Sequence, residues 1–255
     1  VLPTTNDVPP DHAQHRRASN PERPGGTAGV ARGVAGTPEQ TTTQDDLLQE
    51  RYRSWADTYD RAFDAYSAAT LSKAVEFLGD ELPHCVLDLA CGTGLLMERL
   101  LADPRAANAP LSLIGVDFSE DMLERARGRF EQRSGVRLLH GRAEQIPVAS
   151  RSVDAVVVAN AFHLVGDPQA ALDECRRVLR PGGTLVLVDW CIDALPMRLL
   201  ALGLAATQRL RRRIIGIGEQ RAMLERAGFA VRRAERFRAK PMWGLMALAA
   251  EPVRG

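Results

Sequence analysis

The stretch "VLDLACGTG", residues 86–94, combines features that seldom share a strand. Val86, Leu87, Leu89 and Ala90 read as a buried strand, yet Asp88 lies among them and the run breaks into Gly92-Thr93-Gly94. A carboxylate in an apolar strand is costly unless something pairs with it. Glycines lack a Cβ, so the backbone can turn sharply and pass close to a ligand. The helix expected next, from "GLLMERLLA" (94–102), offers free backbone N–H groups at its start. Strand, glycine turn and helix in that order mark the ligand edge of an open α/β sheet.

The chain continues in the same rhythm. "LSLIGVD" (111–117), "VRLLHG" (136–141), "VDAVVVAN" (153–160) and "TLVLVDW" (184–190) read as further strands. Ser119 is the expected N-cap of a helix over "SEDMLERARGRF" (119–130), and Asp167-Pro168 opens another that ends near Leu179. "RPGG" (180–183) reads as a turn. A helical region from about 195 to 227, stopped by Gly228, precedes two closing strands, "FAVRRAERFRA" (229–239) and "WGLMALAAE" (243–251). Such alternation predicts a doubly wound, mostly parallel sheet covered on both faces.

Upstream, residues 1–42 hold six prolines and five glycines but few large apolar side chains, and are expected to form a disordered tail before a domain over 43–255. Tyr52, Trp55, Tyr59, Phe63 and Tyr66 recur every three or four residues, as one face of a helix. With 45% hydrophobic and 25% charged residues, the composition is that of an ordinary globular chain. A net charge of +1 gives no reason to expect nucleic acid as a partner. No apolar run approaches about 18 residues, and the start lacks a signal-peptide layout, so a cytoplasmic protein without stable membrane insertion is expected. Cys85, Cys91, Cys175 and Cys191 are dispersed, which suits neither a metal knuckle nor a disulfide framework.

Asp117 ends the second strand, 25 residues after Gly92, where a carboxylate can accept hydrogen bonds from ribose hydroxyls. The dinucleotide fingerprint G-x-G-x-x-G needs a third glycine, and Met97 stands there instead. Asp88 would repel a pyrophosphate but suits a cationic amino group, or can orient the glycine loop. A ligand with an adenosine end and an amino-acid end, S-adenosylmethionine, fits both observations.

"VLDLACGTG", "GVDFSEDML", "GRAEQIP", "VDAVVVANAFHLVGDP" and "LRPGGTLVLVDW" resemble the successive motifs of class I S-adenosylmethionine-dependent methyltransferases, and most the small ubiquinone/menaquinone-biosynthesis-type (type 11) group. The resemblance covers roughly residues 45 to 251. It implies a seven-stranded sheet of order 3-2-1-4-5-7-6 with the last strand antiparallel. It also implies cofactor contacts from Asp88, Ala90, Gly92 and Gly94 near the amino-acid portion, and from Asp117 at the ribose. Phe118, Met122, Ala143 and Glu144 belong around the adenine, and Asn160 beneath the sulfonium. Tyr59, on the helical stripe, is a further candidate contact.

The acceptor side is read from the residues alone. His163, just past the fourth strand, is the candidate base, since its reference pKa is about 6.5; a plain pocket-wall histidine is the alternative. From Trp190 to Ile217 the chain is mostly Leu, Ala and Met until "RLRRR" (209–213). An apolar acceptor pocket walled by Trp190, Met197, Leu200 and Trp243 is therefore expected. Burial contributes about 25 cal/mol per Å², which favours an aromatic or prenyl-like small molecule. The basic cluster reads as a solvated helix end. Two other classes stay open, an NAD-dependent oxidoreductase and a non-catalytic S-adenosylmethionine-binding protein. Neither a metal site nor an oligomeric state is read from the sequence.

Overall fold

A computed structural model describes residues 64–108, 110–194, 197–199, 214–239 and 243–253. The expected tail, most of the aromatic stripe including Tyr59, Leu200 and the basic cluster lie outside them.

Helix α1 spans Asp64–Phe77 and is followed by strand β1, Cys85–Leu89. Then come α2 (Leu95–Leu101), β2 (Ser112–Asp117), α3 (Glu120–Phe130), β3 (Val136–His140) and β4 (Val153–Ala159). The chain closes with α4 (Pro168–Val178), β5 (Leu179–Trp190), α5 (Ile217–Arg226), β6 (Phe229–Arg238) and β7 (Gly244–Pro252). The sheet has seven strands in the order β3-β2-β1-β4-β5-β7-β6. β7 runs antiparallel to both β5 and β6, and the β1–β2, β1–β4, β2–β3 and β4–β5 pairs are parallel.

Two apolar layers make the core, one on each face, as a doubly wound sheet requires. One packs Leu87, Leu89, Val156 and Leu187 under Leu172, Val178 and Leu224 of α4 and α5. The other packs Val86, Ala155, Val157 and Val186 under Leu71 and Val75 of α1, Leu96 and Leu100 of α2, and Leu123 of α3. Strand side chains alternate between faces, so Asp88 shares the second face with Val86.

Local chemistry sets the helix starts. The Ser119 hydroxyl accepts the Met122 N–H at 3.4 Å, and Asp167 Oδ1 accepts those of Gln169 and Ala170 at 3.1 Å, with Pro168 in the first turn. Gly228, at φ +81°, ends α5 as expected. "RPGG" is more than a turn between elements. β5 already pairs at Leu179 with Val153, and the register resumes at Thr184 with Ala155, so two residues of β4 advance against five of β5. The excess bulges out at Arg180, Pro181 and Gly182, which are exposed.

Met97 explains how the sheet does without a third glycine. It is fully buried, and a Cβ at Gly115 on β2 would lie 2.8 Å from its Sδ. The glycine that permits close helix–strand packing is on the strand rather than the helix.

Gly94 also turns out to serve packing. It caps α2 at φ +85°, and a Cβ there would stand 2.5 Å from Cε2 of Phe130 on α3. Gly94→Ala is expected to destabilise the domain by roughly 1–3 kcal/mol through overpacking and left-handed strain. A thermal melt within a degree of wild type would refute this.

Candidate functional site

The C-terminal ends of β1, β2 and β4 open into one cavity, at the edge where such sheets bind ligands. Ala90, Gly92, Asp117, Phe118, Met122, Ala143, Glu144 and Asn160 all line it, so most of the expected cofactor residues meet in one place. Gly141, Arg142, Leu164 and Val165 line it too. They lie inside the quoted motifs, but nothing in their spacing set them apart from their neighbours.

Two strand ends carry backbone strain. Ala90 and Asn160 leave β1 and β4 at φ +61° and +62°, a region that non-glycine residues seldom occupy. The Ala90 N–H is tied to the Val116 carbonyl at 2.7 Å, and that of Asn160 to the Val188 carbonyl at 2.8 Å. These bonds hold the kinks that turn both chain segments round the cavity.

Asp117 ties the loops together. Its Oδ2 accepts the Gly92 N–H at 2.8 Å and its Oδ1 accepts the Ser119 N–H at 2.8 Å. Burial pushes its carboxyl up, and the backbone N–H groups of Ser119, Gly92 and Phe118 pull it back in part. Each oxygen keeps acceptor capacity for a hydroxyl. Gly92, at φ +54°, has open space where a Cβ would be, so a ligand can lie directly on its backbone. Gly94 does not line the cavity, and its place is beside Phe130.

Asp88 lies deeper. It is 3% exposed, and its Oδ2 has no hydrogen-bond partner among the described residues. Burial, and secondarily the nearby Asp117, push its carboxyl up to about 8. An acid held largely protonated in this way gains from any cation that reaches it. Glu144 Oε1 accepts the N–H groups of Gly166 and Asp167 at 3.1 and 3.2 Å, fastening the loop before α4 to the cavity wall. His140 bonds the Phe118 carbonyl through Nε2 at 3.0 Å.

On the acceptor side, His163 is placed differently from a free rim base. It is 7% exposed, its Nδ1 bonds Asp189 Oδ1 at 2.7 Å, and its backbone N–H donates to Asp189 Oδ2 at 2.8 Å. Its ring stacks on Trp190, centroids 4.8 Å apart. Trp190 and Trp243 are buried with centroids 5.3 Å apart, and Tyr66 of α1 completes the cluster at 5.5 Å from Trp243. Met197 is fully buried, with Cγ 3.0 Å from a Cβ built at Gly244. None of His163, Trp190, Met197 or Trp243 lines the cavity; the aromatic group adjoins it through Asn160. Tyr66 was read in sequence only as part of an apolar stripe, and its contact with Asn160 spans 94 residues of chain.

Burial raises the thiol pKa of both Cys91 and Cys191, Cys91 well above the usual range. Both behave as small apolar core residues. Among the described residues, no helix is long and apolar enough to cross a membrane.

Residues 87–187 match the family model described as "Methyltransferase domain". An uncharacterised methyltransferase of Mycobacterium bovis is 44% identical over 116 residues, covering 46% of this chain and 44% of the relative. The demethylmenaquinone methyltransferase of Staphylococcus aureus is 35% identical over 111 residues, covering 44% and 45%. The chain thus spans less than half the length of these relatives. A Thermotoga maritima structure described as an S-adenosylmethionine-dependent methyltransferase, possibly a histamine N-methyltransferase, superposes with TM-score 0.64 at 23% identity, over 80% of this chain and 99% of that one. The last likeness shows the shared fold.

The raised Asp88 carboxyl has a sign that can be checked. The native state keeps a proton that the unfolded chain releases near pH 4, so this group costs stability as pH rises towards about 8. Asp88→Asn should therefore raise the melting temperature of the ligand-free protein at pH 8 and change it little at pH 4. Equal shifts at both pH values would remove the assignment.

Proposed function

We propose that this chain, whose residues 87–187 match the methyltransferase-domain family model, transfers the methyl group of S-adenosylmethionine to a small acceptor with an apolar or aromatic body. The observation that carries the reading is a buried, unpartnered Asp88 oxygen beneath a glycine loop that Asp117 clamps from the next strand. An amino-acid ammonium suits Asp88, a ribose diol suits Asp117, and an adenine suits the wall of Phe118, Met122, Ala143 and Glu144. Asn160 would lie nearest the reacting methyl. Tyr59 and Leu200 are proposed as further contacts to cofactor and acceptor.

S-adenosylmethionine supplies a methyl group already activated on a positively charged sulfur. The work left to the protein is alignment, and well-oriented reactants can gain about 7–11 kcal/mol from it. The strained ends at Ala90 and Asn160 and the Asp117 clamp fix the donor half. Trp190 and Trp243, buried beside the cavity with their rings tilted by 55°, would form the apolar side of the acceptor site, with Met197 packed beside Gly244. The name of the Staphylococcus aureus relative is consistent with a quinone-like ring in that place. Where the acceptor carries an O–H or N–H, His163 takes the proton. Asp189 occupies its Nδ1, which leaves Nε2 for that task, and stabilises the imidazolium that results.

A nicotinamide dinucleotide fits less well, because the buried Asp88 can partner a cation but offers a pyrophosphate no counter-charge. A non-catalytic binding protein is separated by turnover: purified protein with S-adenosylmethionine and cell extract should yield methylated product by mass. The four dispersed free thiols, three of them buried, accord with action in the cytoplasm.

Calorimetry tests the donor half. Asp117→Ala should lose charge-assisted hydrogen bonds worth about 1.5–3 kcal/mol each, weakening S-adenosylmethionine at least tenfold. Wild-type protein that binds NADH more tightly than S-adenosylmethionine would overturn the assignment. For a hydroxyl acceptor, His163→Gln should lower kcat by about 10²–10⁴ while cofactor affinity holds; an unchanged kcat would return His163 to a structural role.

A further inference from the structure

Between the donor cavity and the aromatic wall lies one phenol. The Tyr66 hydroxyl donates to Asn160 Oδ1 at 2.8 Å and accepts the Trp190 indole N–H at 2.6 Å. Asn160 Nδ2 in turn donates to Thr70 Oγ1 at 2.9 Å, and that hydroxyl donates back to the carbonyls of Tyr66 and Ser67, each at 3.2 Å. The ring of bonds joins three elements far apart in sequence: α1, the end of β4 and the end of β5. Thr70 is fully buried, and Trp190 is held on its other side by the His163 stack and, through its backbone N–H, by Asp189. Satisfied polar networks in such surroundings select a single arrangement.

The two ends of this network face different partners. Asn160 lines the cavity and stands at a strained φ, so it has little freedom to shift alone. Trp190 belongs to the wall formed with Trp243, and its Nε1–H fixes the tilt of the indole. The position of the Trp190 indole relative to Asn160 is therefore set through the hydroxyl they share.

Resting on the methyltransferase reading above, we propose that Tyr66 is the positioning residue of the acceptor half. Its hydroxyl locks the Trp190 indole to Asn160 and so holds an aromatic acceptor in line with the methyl donor. Helix α1 then does more than cover the sheet, because it carries the gauge between the two halves of the site. A phenylalanine keeps the ring and its packing against Trp243 but leaves the indole N–H and the Asn160 carbonyl without this partner. The wall would survive with its angle no longer fixed.

The test uses the full chain with ¹⁵N-labelled tryptophan. The Trp190 indole resonance is assigned by its loss in Trp190→Phe. S-adenosylhomocysteine is the donor-side probe and 2-naphthol the acceptor-side probe. In wild-type protein, saturating S-adenosylhomocysteine should shift the Trp190 indole signal, although Trp190 does not line the cavity. In Tyr66→Phe, affinity for S-adenosylhomocysteine should stay within about threefold, while the Trp190 response disappears and 2-naphthol binding to the loaded protein weakens at least fivefold. Thr70→Val, which unfastens Asn160 from the same ring of bonds and alters no aromatic side chain, should reproduce the 2-naphthol loss by calorimetry; it decides the matter if Tyr66→Phe does not fold. An undiminished Trp190 response with unchanged 2-naphthol affinity overturns the proposal. So does loss of S-adenosylhomocysteine binding in Tyr66→Phe, which would put Tyr66 in the donor half, or a loaded wild type that takes up no 2-naphthol. Failure of the wild type to bind S-adenosylhomocysteine would instead bring down the methyltransferase reading itself.

Discussion

Two hydrogen bonds to one carboxylate organise the ligand edge of this protein. Asp117 reaches back to Gly92 with one oxygen and forward to Ser119 with the other. It thereby fixes the loop that leaves β1 relative to the loop that leaves β2, and through Ser119 it sets the first turn of α3. α3 in turn brings Phe130 against Gly94, which starts α2. A displacement at Asp117 would thus reach both helices that flank the cavity. The position of Asp88 follows from the same frame, since Gly115, its register partner on β2, is what lets Met97 close over that face.

The sequence spoke most clearly where one residue type answers one local demand. Apolar runs gave the parallel strands, Ser119 and Asp167 gave helix starts, and Gly92 gave the ligand loop, because each is a short-range matter of burial, capping or φ. Gly94 looked equivalent to Gly92 on those terms. Its neighbour Phe130 is 36 residues away, and pairwise packing across helices leaves no mark on spacing. Met97 likewise read as a missing glycine, whereas the compensating glycine lies on another strand. "RPGG" read as a turn between elements, whereas it bulges within β5, because the pairing of Leu179 with β4 is something a local pattern does not contain.

The buried aromatic group beside the cavity was less legible for the same reason. His163, Trp190 and Trp243 were singled out as individual residues. Their common feature is a buried set of contacts with Asp189, Tyr66 and Asn160, drawn from α1, β4, β5 and the turn between β4 and α4. A histidine on a cavity rim and a histidine clamped between a carboxylate and an indole have the same one-letter context. What distinguishes them is the stacked ring 27 residues downstream, together with the acid immediately before it.

The antiparallel β7 also has a consequence for how the chain reaches this state. β5 is the inner strand beside both the cavity and the aromatic group, and among the described residues its outer edge is covered by β7. On a ribosome, β5 emerges more than fifty residues before β7. Throughout that interval its unpaired N–H and C=O groups form an open template of valines and leucines, of the kind that recruits strands from other chains. β6 offers no help, since it pairs with β7 and not with β5. Completion of the sheet is thus a late, long-range event in synthesis, and chaperone demand should be set by how long that one edge stays bare.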